Sequence, residues 1–343
     1  MKYVSIGGRA VMEGVMMKSA TSLAMSVRRS DGTIVVEKQK LSQKPWRKVI
    51  NKIPVVRGVV AFVDSLISGM NLTSHSAELF GEDLLESEEP TKFEKWLSKT
   101  FNIKLETVAI VLGIVLGLGL SFLLFMFLPS LVSTLLSKIF GVTVETATWG
   151  VKLLLNIAEG VTKILIFLGY LYAIGFMKDI KRIFMYHGAE HKVISCYEHG
   201  DELTVENARK YSTSHPRCGT SFMFIIMVVG ILMASIADTL FGLNTLTLGA
   251  SIFRLFVKVL LLPIVAGTSY EILKLLAKSD NVCFRVLRAP GMLLQKLSTR
   301  EPDDSMLEVS LVSFKTVLVM DGLMEEEVKT VDELYENDEN DSQ

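Results

Sequence analysis

The sequence is poor in charged residues and in cysteine. Charged residues make up 21% of the 343 residues, whereas hydrophobic residues make up 50%. A soluble domain of this size is usually more charged, so the composition argues against a soluble globular protein. The three cysteines, Cys196, Cys218 and Cys283, cannot form a closed set of disulfides, which fits a reducing compartment.

The sequence also lacks a large net charge and a recognisable signal peptide. Its formal net charge is −1, because acidic residues crowded near the C-terminus balance a Lys/Arg excess elsewhere. The total charge therefore implies no nucleic-acid partner. The first apolar run, 10–17, contains Glu13 and lacks a basic segment leading into a longer apolar core. We therefore expect no signal peptide, and we expect any membrane insertion to use internal segments.

Four long apolar segments are present. Residues 105–128 supply about 24 residues with one charge near the start, enough to cross a hydrocarbon core of about 30 Å. Residues 219–237 form a second clear span, and the runs 148–176 and 252–276 are interpreted as spans despite charges in their first halves. The stretch 130–140 is too short to span and is expected along the outer surface. The predicted fold is an α-helical integral membrane protein with about four transmembrane helices.

The connections between these segments predict the orientation. The connection 177–218 is rich in Lys and Arg, whereas 129–147 holds only Lys138 and 241–251 holds none. Lys and Arg are retained on the cytoplasmic side of short connections. We therefore predict that 177–218 and both termini are cytoplasmic.

The remaining segments predict a small cytoplasmic α+β region and further cytoplasmic helices. Residues 23–41 contain two β-prone runs around Ser30-Asp31-Gly32, typical of a hairpin, and 53–72 resembles an amphipathic helix opened by Pro54. Ser305 and Glu308 predict a capping box before a last amphipathic helix. The predicted organisation is 1–80, N-terminal region with hairpin and amphipathic helix; 81–104, charged linker; 105–276, transmembrane bundle with a His-rich loop at 177–218; 277–322, amphipathic helices; 323–343, acidic disordered tail.

The most specific local pattern is His187-Gly188-Ala189-Glu190-His191. If a helix continues through it, both histidines share one face a turn apart and could bind one metal ion. Glu190 is then the candidate catalytic base for a metal-bound water. The alternative is that the histidines only hydrogen-bond helix ends or lipid headgroups.

A zinc enzyme normally needs a third protein ligand, and the same loop offers candidates. His215 and Cys218 are three residues apart, a spacing compatible with a shared metal. Glu206 is a further candidate on what resembles a short surface helix, although most such glutamates are solvated. The sequence leaves the choice among His215, Cys218 and Glu206 open.

The N-terminal segment 7–17 is a further unusual feature of the sequence. Glycines in the segment 7–17 predict close backbone approach, and Glu13 is a lone acid there that either pairs with a cation such as Arg57 or helps to build the site.

Ionisable residues within the spans usually face a bundle interior and pair with one another. A transport path is one interpretation of these charges, and attachment between helices or subunits is the one we prefer. The ionisable residues interpreted in this way, which lie within or next to the predicted spans, are Lys152, Glu159, Lys163, Asp238, Arg254 and Lys258.

Three stretches carry a resemblance to a known family. They are GGRAVMEGVMM at 7–17, IPVVRGVVAFVDSLISGMNLTSHSAEL at 53–79, and YHGAEHKVISCYEHGDELTVENARKYSTSHPRCGTSF at 186–222. With them the chain resembles the YqhQ-like family of bacterial membrane proteins, a family of unknown function often labelled as predicted metal-dependent enzymes. The resemblance implies a multi-pass protein of the bacterial plasma membrane.

Two functional hypotheses follow. The first is a membrane-anchored metal-dependent hydrolase, with Zn²⁺ as the expected ion, acting on a peptide or lipid-linked bond. The second is a non-enzymatic membrane scaffold that docks on another membrane complex, such as the protein-insertion machinery. The lipid bilayer is the expected partner in both, and the sequence leaves an oligomer open.

Overall fold

The chain is mostly helical, with a small antiparallel sheet near its N-terminus. The computed structural model describes residues 6–41, 45–81, 105–141, 148–216, 218–241, 248–276 and 281–325. The chain forms two compact units. The first comprises residues 1–84, 172–224 and 270–343, and the second comprises 85–171 and 225–269. Most of the predicted linker, 81–104, and of the predicted acidic tail, 323–343, lies outside the described residues.

The helices are numbered in chain order through both units. They are α1 (Pro45–Ile50), α2 (Val56–Gly81), α3 (Leu105–Phe122), α4 (Leu128–Ile139), α5 (Trp149–Ile174), α6 (Lys178–His199), α7 (Val205–Arg209), α8 (Thr220–Phe241), α9 (Leu248–Leu276), α10 (Val282–Ser298) and α11 (Asp304–Met320). A π-helical turn at Leu123–Phe127 joins α3 to α4.

The sheet of the first unit has four antiparallel strands in sequence order. They are β1 (Gly7–Val11), β2 (Gly14–Lys18), β3 (Ser22–Arg28) and β4 (Ile34–Lys40). β3 and β4 surround the turn where the sequence predicts a hairpin. β1 and β2 come from the glycine-containing segment 7–17, for which the sequence predicted no strands. Their two-residue turn contains Glu13 at φ 50°, in the left-handed region.

The two faces of this sheet pack against different helices. Val15, Met17 and Ala24 belong to a core with residues of α6 and α11. Met16 and Met25 point to the opposite face, where Leu79 of α2 packs against them. Successive strand residues point to opposite faces, so one sheet serves two apolar layers.

The last helix, α11, lies in the core of the first unit and packs against α6, β2 and β3. Met306 and Phe314 are fully buried. The predicted Ser305/Glu308 capping box is wrong. Asp303 is the N-cap, its carboxylate accepts from the Met306 N–H at 3.0 Å, and Glu308 instead pairs with Arg28. Asp303 takes the cap because the helix begins one residue after it.

Among the described residues, three helical segments are long and apolar enough to cross a membrane by length and composition: 115–139, 220–241 and 252–276. A fourth is added if α5 and α6, bent by 98° at a short break, count as one span. The prediction that 130–140 is a separate surface segment is wrong, because the helix continues to Ile139. The π-helical turn lies just before Pro129, which lacks an N–H and would otherwise interrupt the hydrogen-bond ladder.

Candidate metal centre

The histidine motif lies on α6, in the first unit. This helix runs from Lys178 to His199 and ends at Gly200, whose φ of 79° permits the left-handed turn there. The segment predicted as a His-rich loop is therefore largely helical. Because it is helical, His187 and His191 lie one turn apart, and their ring centroids are 4.4 Å from each other.

Cys218 joins the two histidines. One ligand atom from each of His187, His191 and Cys218 lies within 4.8 Å of the other two. The His187 Nε2 atom is 3.2 Å from the Cys218 Sγ atom. His191 is buried, whereas His187 and Cys218 are half-buried. Three metal-ligating side chains from two separate parts of the chain therefore converge on one point.

Backbone carbonyls orient both imidazole rings. The Nδ1 atom of His187 is 2.9 Å from the Ser298 carbonyl oxygen, and that of His191 is 2.6 Å from the Thr213 carbonyl oxygen. A carbonyl oxygen only accepts, so each Nδ1 carries the proton. In a neutral imidazole with this tautomer, the Nε2 atom has a lone pair. This is the arrangement in which a neighbouring acceptor fixes the tautomer of a metal-ligating histidine.

The Nε2 atom of His191 has no hydrogen-bond partner among the described residues, although it is buried. The side chain is 1% exposed, so bulk water does not satisfy it. An unsatisfied buried acceptor costs about 1–3 kcal/mol. A metal ion would satisfy this lone pair. Two imidazoles and one thiolate are donors that suit Zn²⁺.

Glu190 is buried beside this cluster, but it is not one of the three converging ligands. Burial raises the pKa of its carboxyl group, while His187, the Gly8 backbone N–H and Arg9 act in the opposite direction. A Cβ atom at Gly8 would lie 2.7 Å from the Glu190 Cγ atom. The close approach expected from the N-terminal glycines therefore occurs here, where β1 meets α6.

Gly188, inside the motif, allows a second close approach. A Cβ atom there would lie 2.1 Å from the Arg300 carbonyl oxygen. The Arg300 N–H in turn donates to the Phe184 carbonyl at 2.9 Å. This contact holds the segment after α10 against α6, and Ser298, the last residue of α10, provides the carbonyl that orients His187.

The other predicted ligands lie outside the cluster. The His215 ring centroid is 5.8 Å from that of His191, but its Nε2 atom is 3.2 Å from a carboxylate oxygen of Glu198. Burial lowers the pKa of His215. Glu206 is exposed on α7. Burial raises the pKa of the Cys196 thiol to about 11, as expected of a core cysteine.

Glu13 does not pair with Arg57, so that suggested pairing is wrong. Its carboxylate accepts from the Arg182 guanidinium on α6, and the Tyr186 hydroxyl donates to it at 3.3 Å. Arg57 instead pairs with Glu271. The hairpin turn between β1 and β2 carries Glu13 to the start of α6, a placement that the sequence could not give without those two strands.

Residues 53–320 match the model of a family described as "Protein of unknown function (DUF1385)". The chain belongs to this family. It is also similar to the uncharacterized protein YqhQ of Bacillus subtilis (strain 168), with 34% identity over 324 residues that cover 94% of this chain and 95% of the relative. The resemblance to YqhQ-like proteins is confirmed. No solved structure matches the chain significantly.

Sequence reasoning missed the groups that orient the site in this family member. The Thr213 and Ser298 carbonyls act through the backbone, so their side chains carry no signal. Ser298 is also separated from His187 by 111 positions. Gly188 was the one available signal, since a glycine inside a helical motif often marks a close packing contact.

Proposed function

We propose that this protein is a multi-pass integral membrane protein with a zinc-type metal centre and metal-dependent hydrolase activity. The apolar segments support the membrane part of the proposal. In the second unit, Leu116, Leu154 and Leu260 are each more than 60% exposed. Apolar surface of this extent is rare on soluble proteins and suits contact with lipid. The proposed cellular location is the bacterial plasma membrane, with both termini in the cytoplasm.

The observation that carries the metal centre is the buried Nε2 atom of His191, which has no hydrogen-bond partner in the part of the chain that the structure describes. It points into the same small space as the Nε2 atom of His187 and the thiol of Cys218. These three residues would hold the ion. A hydrogen bond between the histidines and a lipid headgroup, the alternative from sequence, fits less well because the Nε2 atom of His191 is buried.

The three-ligand set favours a catalytic centre over a purely structural one. Structural zinc sites usually have four protein ligands, whereas catalytic sites have three and leave one position for water or substrate. Zinc in such a position lowers the pKa of a bound water to about 7. Glu190 would accept or return the proton, and burial that raises the pKa of its carboxyl group suits this role.

Metal content tests the centre directly. The full-length protein would be purified in detergent and analysed for bound elements, as wild type and as the His187→Ala/His191→Ala variant. We expect about one zinc ion per chain in the wild type and loss of most of it in the variant. His199→Ala is the matched control, because His199 is on the same helix but is not one of the three converging ligands. Wild-type protein with no stoichiometric metal would refute the proposal.

Glu190→Gln then separates metal binding from catalysis. This substitution keeps the size of the side chain and removes the base. We expect metal content to stay at the wild-type level while complementation of a deletion strain is lost. Full complementation by Glu190→Gln with metal retained would refute the hydrolase and leave the metal centre standing.

A second candidate is a non-enzymatic scaffold that docks on another membrane complex. It is favoured by α2, where Val63, Leu66, Ile67 and Met70 are 44–65% exposed. Their spacing puts them on one helical face, which suits a docking surface. Under this alternative, Leu66→Asp abolishes complementation while Glu190→Gln does not. The opposite pattern excludes the scaffold.

Topology is tested separately with reporter fusions. The proposed orientation places Glu145 and Gly242 outside the cytoplasm and Asp304 inside it. A cytoplasmic reporter at Glu145 would contradict this part of the proposal.

A further inference from the structure

The second unit contains a buried network of charged side chains among its apolar helices. Arg254 of α9 donates to both oxygens of Glu159 of α5, at 2.8 and 2.9 Å, and to Asp238 of α8 at 2.9 Å. A third donor of Arg254 reaches the Ser130 hydroxyl on α4 at 3.0 Å. Lys163, one turn after Glu159, donates to the same carboxylate at 2.6 Å. Four helices thus meet at one arginine.

The network holds more positive than negative charge. Its basic side chains are Arg254, Lys163 and Lys258, and its acidic side chains are Glu159 and Asp238, so with every member ionised the described network carries one surplus positive charge. The side chains of Arg254 and Glu159 are each 7% exposed and that of Asp238 is 4% exposed. Charges at membrane depth are normally paired. One cation in this network therefore lacks a counter-charge.

Lys258 is the cation with the weakest contact. Its Nζ atom is 3.7 Å from Asp238, which is longer than a hydrogen bond, and no acceptor lies closer within the described part of the chain. Arg254 already uses both carboxylates. The Lys258 side chain is 23% exposed and that of Lys163 is 17% exposed, so a ligand could reach both.

The residues around Lys258 indicate an amphiphilic ligand. Val259 and Leu262, next to Lys258 and one turn after it on α9, are 60% and 49% exposed. An anion at the ammonium group would therefore lie beside an apolar surface that suits acyl chains. A lysine ammonium is a common ligand of phosphate. A phosphodiester carries a single negative charge, which equals the surplus of the network.

We propose that Lys258, with Lys163, binds the phosphate group of an anionic lipid at the surface of the second unit. The phosphate neutralises the surplus charge of the network, and the acyl chains lie along the exposed apolar residues of α9. Because this site involves none of the residues of the metal centre, the two proposals stand or fall separately.

Native mass spectrometry of the full-length protein in detergent tests the site. Wild-type protein would be titrated with phosphatidylglycerol, with phosphatidylcholine, and in a separate arm with inorganic phosphate. We expect one phosphatidylglycerol per chain, bound at least tenfold more tightly than to Lys258→Gln. Lys152→Gln is the control. It removes a positive charge from α5 instead of from α9, and we expect it to bind phosphatidylglycerol as the wild type does. Metal content measured on the same samples stays constant.

The controls distinguish a lipid phosphate from free phosphate and test whether the lipid binds at Lys258. Saturation by inorganic phosphate that displaces the lipid would assign the phosphate site to a free anion and overturn the lipid part of the proposal. Equal binding of phosphatidylglycerol and phosphatidylcholine, or equal binding by wild type and Lys258→Gln, would overturn the site. A thermal melt with added phosphatidylglycerol provides the second readout, because it should stabilise the wild type and not Lys258→Gln.

Discussion

The histidine cluster of the first unit and the charge network of the second are both buried and polar. They differ in the group that is incompletely satisfied within the described part of the chain, which is an acceptor in the cluster and a cation in the network. In the cluster, the Nε2 atom of His191 has no hydrogen-bond partner among the described residues, whereas that of His187 is 3.2 Å from the Cys218 Sγ atom. In the network, both carboxylates are engaged and a cation is left over. We therefore propose an electron-pair acceptor such as a metal ion for the first region and an anion for the second.

Both regions differ from a buried polar network in which every group is paired. A fully paired network specifies how helices pack but binds nothing further. An incompletely satisfied group marks a place where a ligand would complete the hydrogen bonding or the charge. The donors, acceptors and charges in each region are thus the basis for the proposed location of each ligand and for the sign of its charge.

The largest expected effect is on the network. Glu159→Gln raises its surplus to two positive charges, whereas Lys258→Gln removes the surplus. We expect Glu159→Gln to lower the free energy of unfolding by about 3–5 kcal/mol. Lys258→Gln should leave this free energy unchanged or raise it in detergent without added lipid. Unfolding in mixed micelles measures both variants.

The essential result is that Glu159→Gln lowers the free energy of unfolding and Lys258→Gln does not. If both substitutions lower the free energy of unfolding equally, the network has no surplus positive charge. Lys163→Met added to Glu159→Gln restores the original surplus and should recover part of the lost stability.

The next effect is that of metal removal. A ligand at about 100 times its dissociation constant stabilises the folded state by about 2.7 kcal/mol. A chelator should therefore lower the melting temperature of the wild type and leave that of His187→Ala/His191→Ala unchanged. Differential scanning calorimetry with and without chelator measures this. An equal response of both proteins would place any metal elsewhere.

Gly188→Ala tests the packing that supports the cluster. The added Cβ would meet the Arg300 carbonyl at 2.1 Å, so we expect a loss of about 1–3 kcal/mol in unfolding free energy together with weaker metal binding. Gly169→Ala is the control, since Gly169 is also helical but has open space around its Cβ position. Equal stability of the two variants would show that this close approach is unimportant.

The smallest expected effect is that of Glu206→Ala. Glu206 is exposed and outside the cluster, so metal content and melting temperature should equal those of the wild type. Reduced metal content in this variant would return Glu206 to the ligand set and exclude the arrangement of three ligands described above.

Much of the architecture could be predicted because it depends on local patterns. Apolar length indicated the candidate spans, and the i, i+4 spacing placed His187 and His191 on one helical face. The charges at Glu159 and Lys163 were expected to pair with other charges within the spans, and the structure places them in contact. The membrane itself remains a proposal based on composition.

The rest depended on contacts between distant parts of the chain. The sequence left Cys218, His215 and Glu206 open as third ligands, and only the fold brings Cys218 to the histidines. The strands at 7–18 were missed because glycines and methionines give a weak strand signal. The pairing of Glu13 with Arg182 could not be predicted, since it depends on those strands.

The most direct test of the metal centre is X-ray absorption spectroscopy at the zinc edge on purified full-length protein. We expect one sulfur at about 2.3 Å with nitrogen or oxygen neighbours at about 2.0–2.1 Å. Cys218→Ser should remove the sulfur contribution and leave the nitrogen contribution. A zinc ion surrounded only by nitrogen and oxygen in the wild type, or a sulfur signal that persists in Cys218→Ser, would contradict the proposed metal centre.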